Sequence, residues 1–216
     1  MIEAKDIYKS YDTVEVLKGI SLKIEAGEVV SITGDSGAGK STLLHALSSL
    51  DQPNSGEIIF EGKSLSDLSK NQLAKFRNEE VGFVFQNHQL LSELTAIENV
   101  CLPAWIGKTS KTDAKKKGVE LLKYLGLDRR VDHKPSQMSG GEQQRVAVAR
   151  ALINAPKVVF ADEPMGNLDS KNADLLFDYF LQLRAEFNTS FVIVTHNRML
   201  ATKTDRNIAL KDGKIA

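Results

Sequence analysis

A glycine-rich segment of this 216-residue sequence has the residue types and spacing of a phosphate-binding loop. The pattern G-x-x-x-x-G-K-[ST] is met by residues 34–42, which are Gly34, Asp35, Ser36, Gly37, Ala38, Gly39, Lys40, Ser41 and Thr42. Glycines let successive backbone N–H groups converge on phosphate oxygens, and a following helix adds partial positive charge at its N-terminus. We expect Lys40 to reach the β- and γ-phosphates of a nucleotide and Ser41 to face Mg²⁺. Alone, the pattern indicates a class that includes kinases, GTPases and motors.

Two adjacent acids follow a buried β-branched run and add a second kind of chemistry. Asp162 and Glu163 come directly after the predicted strand 158–161, and open α/β sheets bind ligands at the carboxyl ends of their strands. We expect Asp162 to hold Mg²⁺, directly or through water. Glu163 would orient and polarise a water for in-line attack on the γ-phosphate. A glutamate at this place favours hydrolysis over transfer to a hydroxyl acceptor.

A second glycine-rich helix start lies at Ser139, Gly140 and Gly141. Ser139 and Glu142 have the spacing of a capping box, so a purely structural interpretation exists. Two consecutive glycines do not favour a helix, but they allow a phosphate group to approach bare N–H groups closely. The sequence therefore predicts a second phosphate-binding helix start in the same chain.

The elements that position these residues indicate an α/β fold with a largely parallel central sheet. Short β-branched runs alternate with longer helical stretches, and they lie at 29–33, 81–85, 158–161 and 191–195. Three further runs are separated by turn-rich segments and predict an N-terminal antiparallel layer at 2–8, 20–24 and 57–60. An Asp212-Gly213 turn predicts a closing hairpin.

Strand signals vanish between about residues 87 and 156, where the runs 111–125 and 142–153 have helical spacing. We therefore predict a single domain over residues 1–216. Residues 1–86 and 157–216 would form a nucleotide-binding α/β core with the antiparallel layer. Residues 87–156 would form an inserted helical subdomain.

Composition narrows the possible partners and the compartment. The 28 basic residues balance 28 acidic ones, which argues against nucleic acid as a partner because phosphate neutralisation normally needs a basic excess. One cysteine cannot form an intramolecular disulfide, and the N-terminus lacks the pattern of a signal peptide. The longest apolar runs have about four residues, far fewer than the roughly 20 that span a bilayer. We expect a cytoplasmic chain.

The ordered motifs resemble those of the nucleotide-binding subunits of ATP-binding cassette (ABC) transporters, across nearly the whole chain. The matching segments are the phosphate loop at 34–42, the Q-loop at Gln86, the signature at 138–143, the strand ending at Asp162-Glu163, the D-loop at 167–169 and the switch histidine His196. The resemblance implies the P-loop NTPase fold of ABC ATPases, with a RecA-like core, an antiparallel β layer and an inserted helical subdomain. It also implies ATP and Mg²⁺ as ligands.

Further roles are implied by the same resemblance. His196 would reach the γ-phosphate, Gln86 would touch Mg²⁺ or the attacking water, and Tyr11 would stack on adenine. The family's sites are composite, so Lys40 of one subunit and the segment 139–141 of another would enclose each ATP in a nucleotide-sandwich dimer. Asp169 has two open interpretations, the N-cap of the next helix or a member of the functional D-loop.

Three positions depart from the family pattern. Met165 stands where threonine is common, Met138 replaces the usual leucine, and Asn197 replaces the common aspartate after His196. None of these changes removes an expected phosphate or Mg²⁺ ligand. Asn197 cannot form any salt bridge that the family's aspartate would make. Met165 cannot donate any hydrogen bond that the family's threonine hydroxyl would make.

A finer resemblance links the chain to the ATPase subunits of lipoprotein-releasing systems. It is carried by the segments 43–45, 82–91, 94–100 and 172–174. Macrolide-export and cell-division ATPases share much of this signal, so they stay open as alternatives, as does a soluble translation or repair ATPase. The favoured interpretation implies separate integral membrane permease subunits, lipoprotein as indirect cargo, and a peripheral place at the cytoplasmic face of the inner membrane.

Overall fold

The computed structural model describes the backbone of residues 1–216 and every side chain except that of Arg198. A smaller antiparallel sheet has the strand order β2-β1-β4-β5, with β1 at Ile2–Tyr11, β2 at Val14–Ile24, β4 at Ser55–Phe60 and β5 at Lys63–Ser64. A larger sheet has the order β10-β9-β3-β8-β7-β6, with β3 at Val29–Gly34, β6 at Val81–Val84, β7 at Val158–Asp162, β8 at Ser190–Val194, β9 at Arg206–Lys211 and β10 at Lys214–Ile215.

The larger sheet is parallel except at its edge. Strands β9, β3, β8, β7 and β6 run in one direction, and β10 pairs with β9 as the predicted antiparallel hairpin. The first four residues of β7 and all five of β8 are buried, as expected for parallel strands that are covered on both faces. The expected combination of a parallel sheet with a separate antiparallel layer is confirmed.

Seven helices surround the sheets in the described chain. They are α1 at Lys40–Leu47, α2 at Lys70–Glu79, α3 at Ala96–Ile106, α4 at Lys111–Tyr124, α5 at Gly140–Leu152, α6 at Ser170–Phe187 and α7 at Arg198–Ala201. None of the described helices is long and apolar enough to cross a membrane. Between β6 and β7 the described residues form helices and no strand. The finer division into an α/β core and a helical subdomain stays a prediction.

Two apolar cores lie on opposite faces of the large sheet. Along β7, Val158 and Phe160 join the core with α1 and the antiparallel layer, whereas Val159 and Ala161 join the core with α3, α4, α5 and α6. This division follows from the two-residue period of a strand, which sends successive side chains to opposite faces. The large sheet is therefore packed on both faces, and this packing fixes the position of the carboxyl ends of its strands.

The helices α2 and α3 are missing from the sequence predictions, although their starts are marked. Ser69 with Gln72 and Thr95 with Glu98 form complete capping boxes. Helix α3 buries residues around most of its circumference and contains Pro103, so it lacks the one-sided periodicity on which prediction relies. Strand β2 begins at Val14, six residues before the predicted start at Ile20.

Close packing of β6 on α5 generates a stability prediction. A Cβ atom at Gly82 would lie 2.5 Å from the carbonyl oxygen of Ala151, which is backbone and cannot rotate away. We expect Gly82→Ala to lower the free energy of unfolding by about 1–3 kcal/mol, as other overpacked core substitutions do. Chemical denaturation without nucleotide measures it. The matched control is Gly140→Ala, whose methyl group would have no atom closer than 3.9 Å, and equal stability of both variants would contradict the prediction.

Candidate functional site

The predicted phosphate loop connects β3 to α1 and depends on glycine at two positions. Gly34 has φ of +151°, and a Cβ there would lie 2.2 Å from the carbonyl oxygen of Leu210. Gly39, the N-cap of α1, has φ of +99° and lies against Val16 and Leu17 of β2. Both sheets therefore constrain the loop. The apolar run 43–50 predicts a helix that begins at Leu43, and this left-handed N-cap explains why α1 begins three residues earlier, at Lys40.

Lys40 is held over the loop by backbone oxygens. Its ammonium group donates to the carbonyl oxygens of Gly34 at 3.0 Å and Asp35 at 2.9 Å. The first turn of α1 contains no acidic residue, so nothing there opposes the partial positive charge of the helix N-terminus. Asp35, Ser36 and Gly37 are exposed. The loop thus presents a cation and free N–H groups to an anionic ligand.

The hydroxyl of Ser41 lies 3.1 Å from the Oδ1 of Asp162. These two oxygen ligands come from the start of α1 and the end of β7, which meet at the carboxyl edge of the sheet. Mg²⁺ prefers oxygen ligands and commonly binds through one or two carboxylates together with substrate phosphates and water. No cluster of three or more His, Cys, Asp or Glu residues suited to a metal lies in the described part of the chain. The pair fits Mg²⁺ shared with a nucleotide better than an all-protein cage.

Glu163 and His196 form a pair beside these oxygens. The backbone N–H of Glu163 donates to the carbonyl oxygen of Val194 at 3.0 Å, and its Oε2 lies 2.9 Å from the Nδ1 of His196. The Glu163 side chain is 17% exposed and that of His196 is 70% exposed. Glu163 has φ of +45°, a left-handed conformation that costs on the order of 1 kcal/mol for a non-glycine residue. The fold therefore holds this carboxylate in an unfavourable backbone conformation at the sheet edge.

Gln86 lies against the turn that follows Glu163. A Cβ at Gly166 would come within 2.8 Å of the Nε2 of Gln86, and the Asn167 amide donates to the backbone oxygen of Gln86 at 3.2 Å. The predicted Q-loop and D-loop are thus in direct contact. No hydrogen bond joins Gln86 to Ser41 or Asp162 among the described side chains, so its expected place at the metal stays a prediction.

The second glycine-rich helix start is a fully formed capping box. The Ser139 hydroxyl accepts from the backbone N–H of Glu142 at 3.3 Å, and Glu142 accepts from the N–H of Ser139 at 2.8 Å. Arg130 donates to the other oxygen of Glu142 at 2.7 Å. This hydrogen bond from Arg130, followed by that from Ser139, lowers the pKa of Glu142 to about 2. Gly140 is exposed, so the start of α5 is anchored on one side and open on the other.

Asp169 is the N-cap of α6, which realises the first of its two interpretations. Its side chain accepts from the backbone N–H of Asn172 at 2.9 Å and from the Asn172 amide at 2.6 Å. These bonds lower the pKa of Asp169. A Cβ at Gly141 would lie 3.2 Å from the Oδ1 of Asn172. The first turns of α5 and α6 therefore touch, and a further role of Asp169 in a functional loop stays a prediction.

Tyr11, at the end of β1, is 45% exposed and lies near the start of α1. Its hydroxyl donates to Asp51 at 2.6 Å. This bond, together with burial, raises the pKa of Tyr11, while the side chain of Thr42 is close enough to act in the opposite direction. The Tyr11 hydroxyl thus lies near the side chain of Thr42, the last residue of the phosphate loop.

The structure separates the predicted site residues into two groups within one chain. Lys40, Ser41, Asp162, Glu163 and His196 meet at one edge of the large sheet. No hydrogen bond or ion pair of the described residues joins segment 139–141 to segment 34–42. A cavity of about 690 Å³ lies beside the phosphate loop and is lined in part by Asp35, Ser36, His196, Thr202 and Lys211.

Three residues link the Q-loop to α5 through contacts that the sequence does not predict. His88 is hydrogen-bonded through its Nδ1 to Gln144, which is buried and donates to the carbonyl oxygen of Phe85 at 3.3 Å. Arg150 donates to the carbonyl oxygens of His88 at 2.8 Å and Gln89 at 2.5 Å. The partners are separated by about 60 positions, so spacing along the chain does not reveal them.

The three departures from the family pattern have structural accounts. Met138 and Met165 are both buried in the core that contains α5 and α6. The Asn197 side chain accepts from the backbone N–H groups of Met199 at 3.0 Å and Leu200 at 3.3 Å. Asn197 therefore caps the short helix that follows His196, as an aspartate would.

A family model described as ABC transporter matches residues 17–166. Two similar proteins are both called lipoprotein-releasing system ATP-binding protein LolD. The one from Cytophaga hutchinsonii is 54% identical and the match covers 100% of this chain and 98% of the relative. The one from Bacteroides fragilis is 52% identical, with 100% of both chains covered.

Solved structures give the same picture. The ATP-binding cassette MJ0796, described as a dimeric post-hydrolysis state bound to ADP and Pi, aligns with a TM-score of 0.91 and 40% identity. The alignment covers 100% of this chain and 96% of that one. CbiO1 of Clostridium perfringens, described as part of an ABC transporter complex, aligns with a TM-score of 0.91 and 29% identity, covering 100% and 86% of the two chains.

The low pKa of Glu142 generates a prediction about acid stability. Its folded-state pKa of about 2 lies below the ordinary 4.5, so ionised Glu142 stabilises the fold above pH 4.5, and this contribution is lost as pH falls towards 2. Glu142→Gln keeps the cap but removes the charge. We expect it to lower the free energy of unfolding by about 1 kcal/mol at pH 7 and by progressively less below pH 4.5.

Urea denaturation across pH 7 to 3 measures this difference. The matched control is Glu120→Gln, on the exposed side of α4, whose side chain has no ion pair with a described residue. A Glu142→Gln difference that stays constant over this pH range would contradict the role of the ion pair.

Proposed function

The chain belongs to the ABC transporter family, and we propose that it is the ATP-hydrolysing subunit of a lipoprotein-releasing system. It is an ATPase that binds ATP and is coupled to transport. The assignment to lipoprotein release is supported by identities of 50–54% over the whole chain to three relatives of that name. The hydrolytic mechanism is supported above all by the Glu163–His196 pair beside Ser41 and Asp162.

The phosphate loop and Tyr11 divide the binding of ATP between them. The backbone N–H groups of residues 34–42 and the start of α1 face the phosphates, and Lys40 exchanges its loop carbonyls for the β- and γ-phosphates. Tyr11 stacks on the adenine ring. Stacking needs only an exposed aromatic face, which the 45% exposure of Tyr11 supplies.

Ser41, Asp162 and Gln86 are the residues that would hold Mg²⁺. Bound there, the ion would neutralise charge on the β- and γ-phosphates during transfer. Ser41 and Asp162 already lie within hydrogen-bond distance, so little rearrangement is needed to present both oxygens. Gln86 would have to turn from Gly166 towards them.

Glu163 acts on the attacking water. Its carboxylate accepts a hydrogen bond from water and receives a proton as the water oxygen bonds to the γ-phosphorus. The bond from that phosphorus to the bridging oxygen breaks, which leaves ADP and phosphate. In this structure the His196 Nδ1 lies 2.9 Å from the Glu163 carboxylate, and with ATP bound the single N–H of the imidazole would turn to donate to the γ-phosphate. The left-handed backbone of Glu163 fixes the carboxylate in advance, so it need not be reoriented during the reaction.

Two copies of the chain complete each site. No hydrogen bond or ion pair of the described residues joins segment 139–141 to the phosphate loop of its own chain, and the exposed start of α5 at Gly140 would receive the γ-phosphate of an ATP bound to the partner copy. A solved relative with 40% identity is dimeric. ATP thus favours the closed dimer because it contacts both copies, and loss of the γ-phosphate releases them.

The motion of this dimer would act on separate integral membrane subunits. We place the chain at the cytoplasmic face of the inner membrane as a peripheral subunit. Its partners would extract a lipoprotein from the outer leaflet and pass it towards the outer membrane. The contacts of His88 and Arg150 between the Q-loop and α5 supply a route by which opening at the nucleotide reaches the surface near Gln86.

Glu163→Gln tests the hydrolytic role. The amide preserves size but cannot accept a proton, so we expect ATP to bind with unchanged affinity and turnover to fall at least about 100-fold. ATP-bound dimers should accumulate. Equilibrium binding, phosphate release and sedimentation measure the three effects, with Glu120→Gln as the matched control. A fully active Glu163→Gln protein would refute the assignment.

Lys40→Ala should impair the binding of ATP, the step that precedes hydrolysis. Removing the ammonium group takes away the cation nearest the phosphates, so ATP affinity itself should fall by a factor of ten or more, the size of one lost charge-assisted contact. Direct binding of ATP to the folded variant measures it. Retained affinity would contradict the interpretation of residues 34–42 as the phosphate site.

Lipoprotein release is tested separately from ATP hydrolysis. Depletion of the protein, followed by separation of inner and outer membranes, should leave outer-membrane lipoproteins in the inner membrane. Complementation with the natural protein should restore their sorting and complementation with Glu163→Gln should not. Normal sorting after depletion would favour export or a cell-division role while leaving the ATPase activity intact.

A further inference from the structure

An ion pair between buried Lys9 and half-buried Asp51 lies next to the exposed Tyr11 side chain. One oxygen of Asp51 accepts from the Tyr11 hydroxyl at 2.6 Å, and the other accepts from the Lys9 ammonium at 2.7 Å. Lys9 also donates to the carbonyl oxygen of Gln52 at 2.7 Å. Each oxygen of the carboxylate therefore has its own donor, so both the position and the rotation of Asp51 are determined.

Burial makes this arrangement unusual. Lys9 is 9% exposed, and lysine is almost never so buried unless it is paired, because removing the ammonium group from water is costly. Its Nζ lies 5.0 Å from the centre of the Tyr11 ring. Lys9 and Tyr11 stand two residues apart on β1, where side chains share a face. The ammonium group thus supports one side of a ring that is open to solvent elsewhere.

The segment that carries Asp51 is fixed at both ends. The backbone N–H of Asp51 donates to the carbonyl oxygen of His45 in α1 at 3.1 Å. Asn54 binds β1 through its N–H, which donates to Tyr8 at 2.9 Å, and through its side chain, which accepts from Ser10 at 2.7 Å. The carboxylate is therefore tied to the same helix whose first turn contains Lys40 and Ser41.

We propose that Asp51 and Lys9 are positioning residues that hold the Tyr11 ring at a fixed place relative to the phosphate loop, and so set the affinity for the base of the nucleotide. This inference rests on the proposed stacking of adenine on Tyr11. Without these partners, the Tyr11 side chain would lose rotamer freedom when the nucleotide binds, and this entropy cost would weaken binding. A ring that is already fixed in the free protein avoids that cost. The pair acts on nucleotide binding and leaves the hydrolytic step unchanged.

Protonation states agree with the geometry. Burial opposes ionisation of Asp51, but the hydrogen bonds from Lys9 and Tyr11 outweigh it and the pKa of Asp51 is lowered. The pKa of Tyr11 is raised, first by its bond to Asp51. At neutral pH the carboxylate therefore remains the acceptor and the phenol remains the donor.

The test compares ATP with inorganic tripolyphosphate, which has the phosphates but no base. We expect Asp51→Ala to weaken ATP binding about three- to tenfold, the range of an aromatic contact, and to change tripolyphosphate binding by less than about twofold. The KM for ATP should rise while kcat at saturating ATP stays unchanged. A general disturbance of the loop would weaken both ligands alike and would overturn the inference.

Two further variants guard against misfolding and charge effects. Asp51→Ala leaves the buried Lys9 without its partner, which could destabilise the fold. The double variant Lys9→Met/Asp51→Ala removes both charges. It should show the same selective loss of ATP affinity. Asp12→Asn is the matched control, since Asp12 adjoins Tyr11 but has no ion pair or hydrogen bond from its side chain to a described residue. Its ATP affinity should equal that of the natural protein, and a loss as large as that of Asp51→Ala would overturn the inference.

Tyrosine variants separate this inference from the function on which it rests. In a Tyr11→Phe background the ring remains but the bond to Asp51 is gone, so adding Asp51→Ala should cause little further loss of ATP affinity. An equal loss in both backgrounds would show that Asp51 does not act through Tyr11. Unchanged ATP affinity in Tyr11→Ala would instead refute adenine stacking itself. Weakened binding in Tyr11→Ala with normal binding in Asp51→Ala would refute only the positioning role.

Discussion

The parallel register of β3, β8 and β7 is the constraint on which the site depends. Ile32 and Asp162 both lie opposite Val194, so the strands end at the same level. The phosphate loop, the acid pair and His196 must then leave the sheet side by side. The bond from the Glu163 N–H to the carbonyl oxygen of Val194 extends this register by one residue, and Glu163 itself has a left-handed backbone conformation. Residues that are distant in sequence are therefore brought together at one edge of the sheet. Their strands are buried on both faces and cannot change register with respect to one another.

The signature segment 139–141 makes no hydrogen bond or ion pair with that edge among the described residues. Helix α5 contacts β6 through Ala151, which lies against Gly82, and contacts the Q-loop through Gln144 and Arg150, while Gly140 at its start is exposed. If both helix starts bind phosphate, as we propose, one chain cannot use both of them on the same nucleotide. This geometry gives a physical reason for the association of two copies and for its dependence on a ligand that contacts both.

Local patterns predict much of the fold, the phosphate loop and the acid pair, whereas the expected roles of Tyr11, Gln86 and His196 come from the family resemblance. Strands β3, β7 and β8 agree with prediction to within one residue because each is an uninterrupted buried run. The start of α1 was predicted three residues too late because it depends on the backbone angle of Gly39, which apolar spacing does not record. Helix α3 was missed because it is buried almost all round. Asp51, Arg130 and His88 were not predicted because their partners are brought near only by the tertiary fold.

The contact between Gly82 and Ala151 also bears on how far the start of α5 would move if the helix rotated relative to β6. With no space for a methyl group between strand and helix, rotation of α5 would pivot at that contact. The twelve residue steps from Ser139 to Ala151 span about 18 Å along the helix, so a turn of about 10° would move the helix start by about 3 Å. A small rotation at the Gly82–Ala151 contact would therefore displace the start of α5 by about the length of a hydrogen bond.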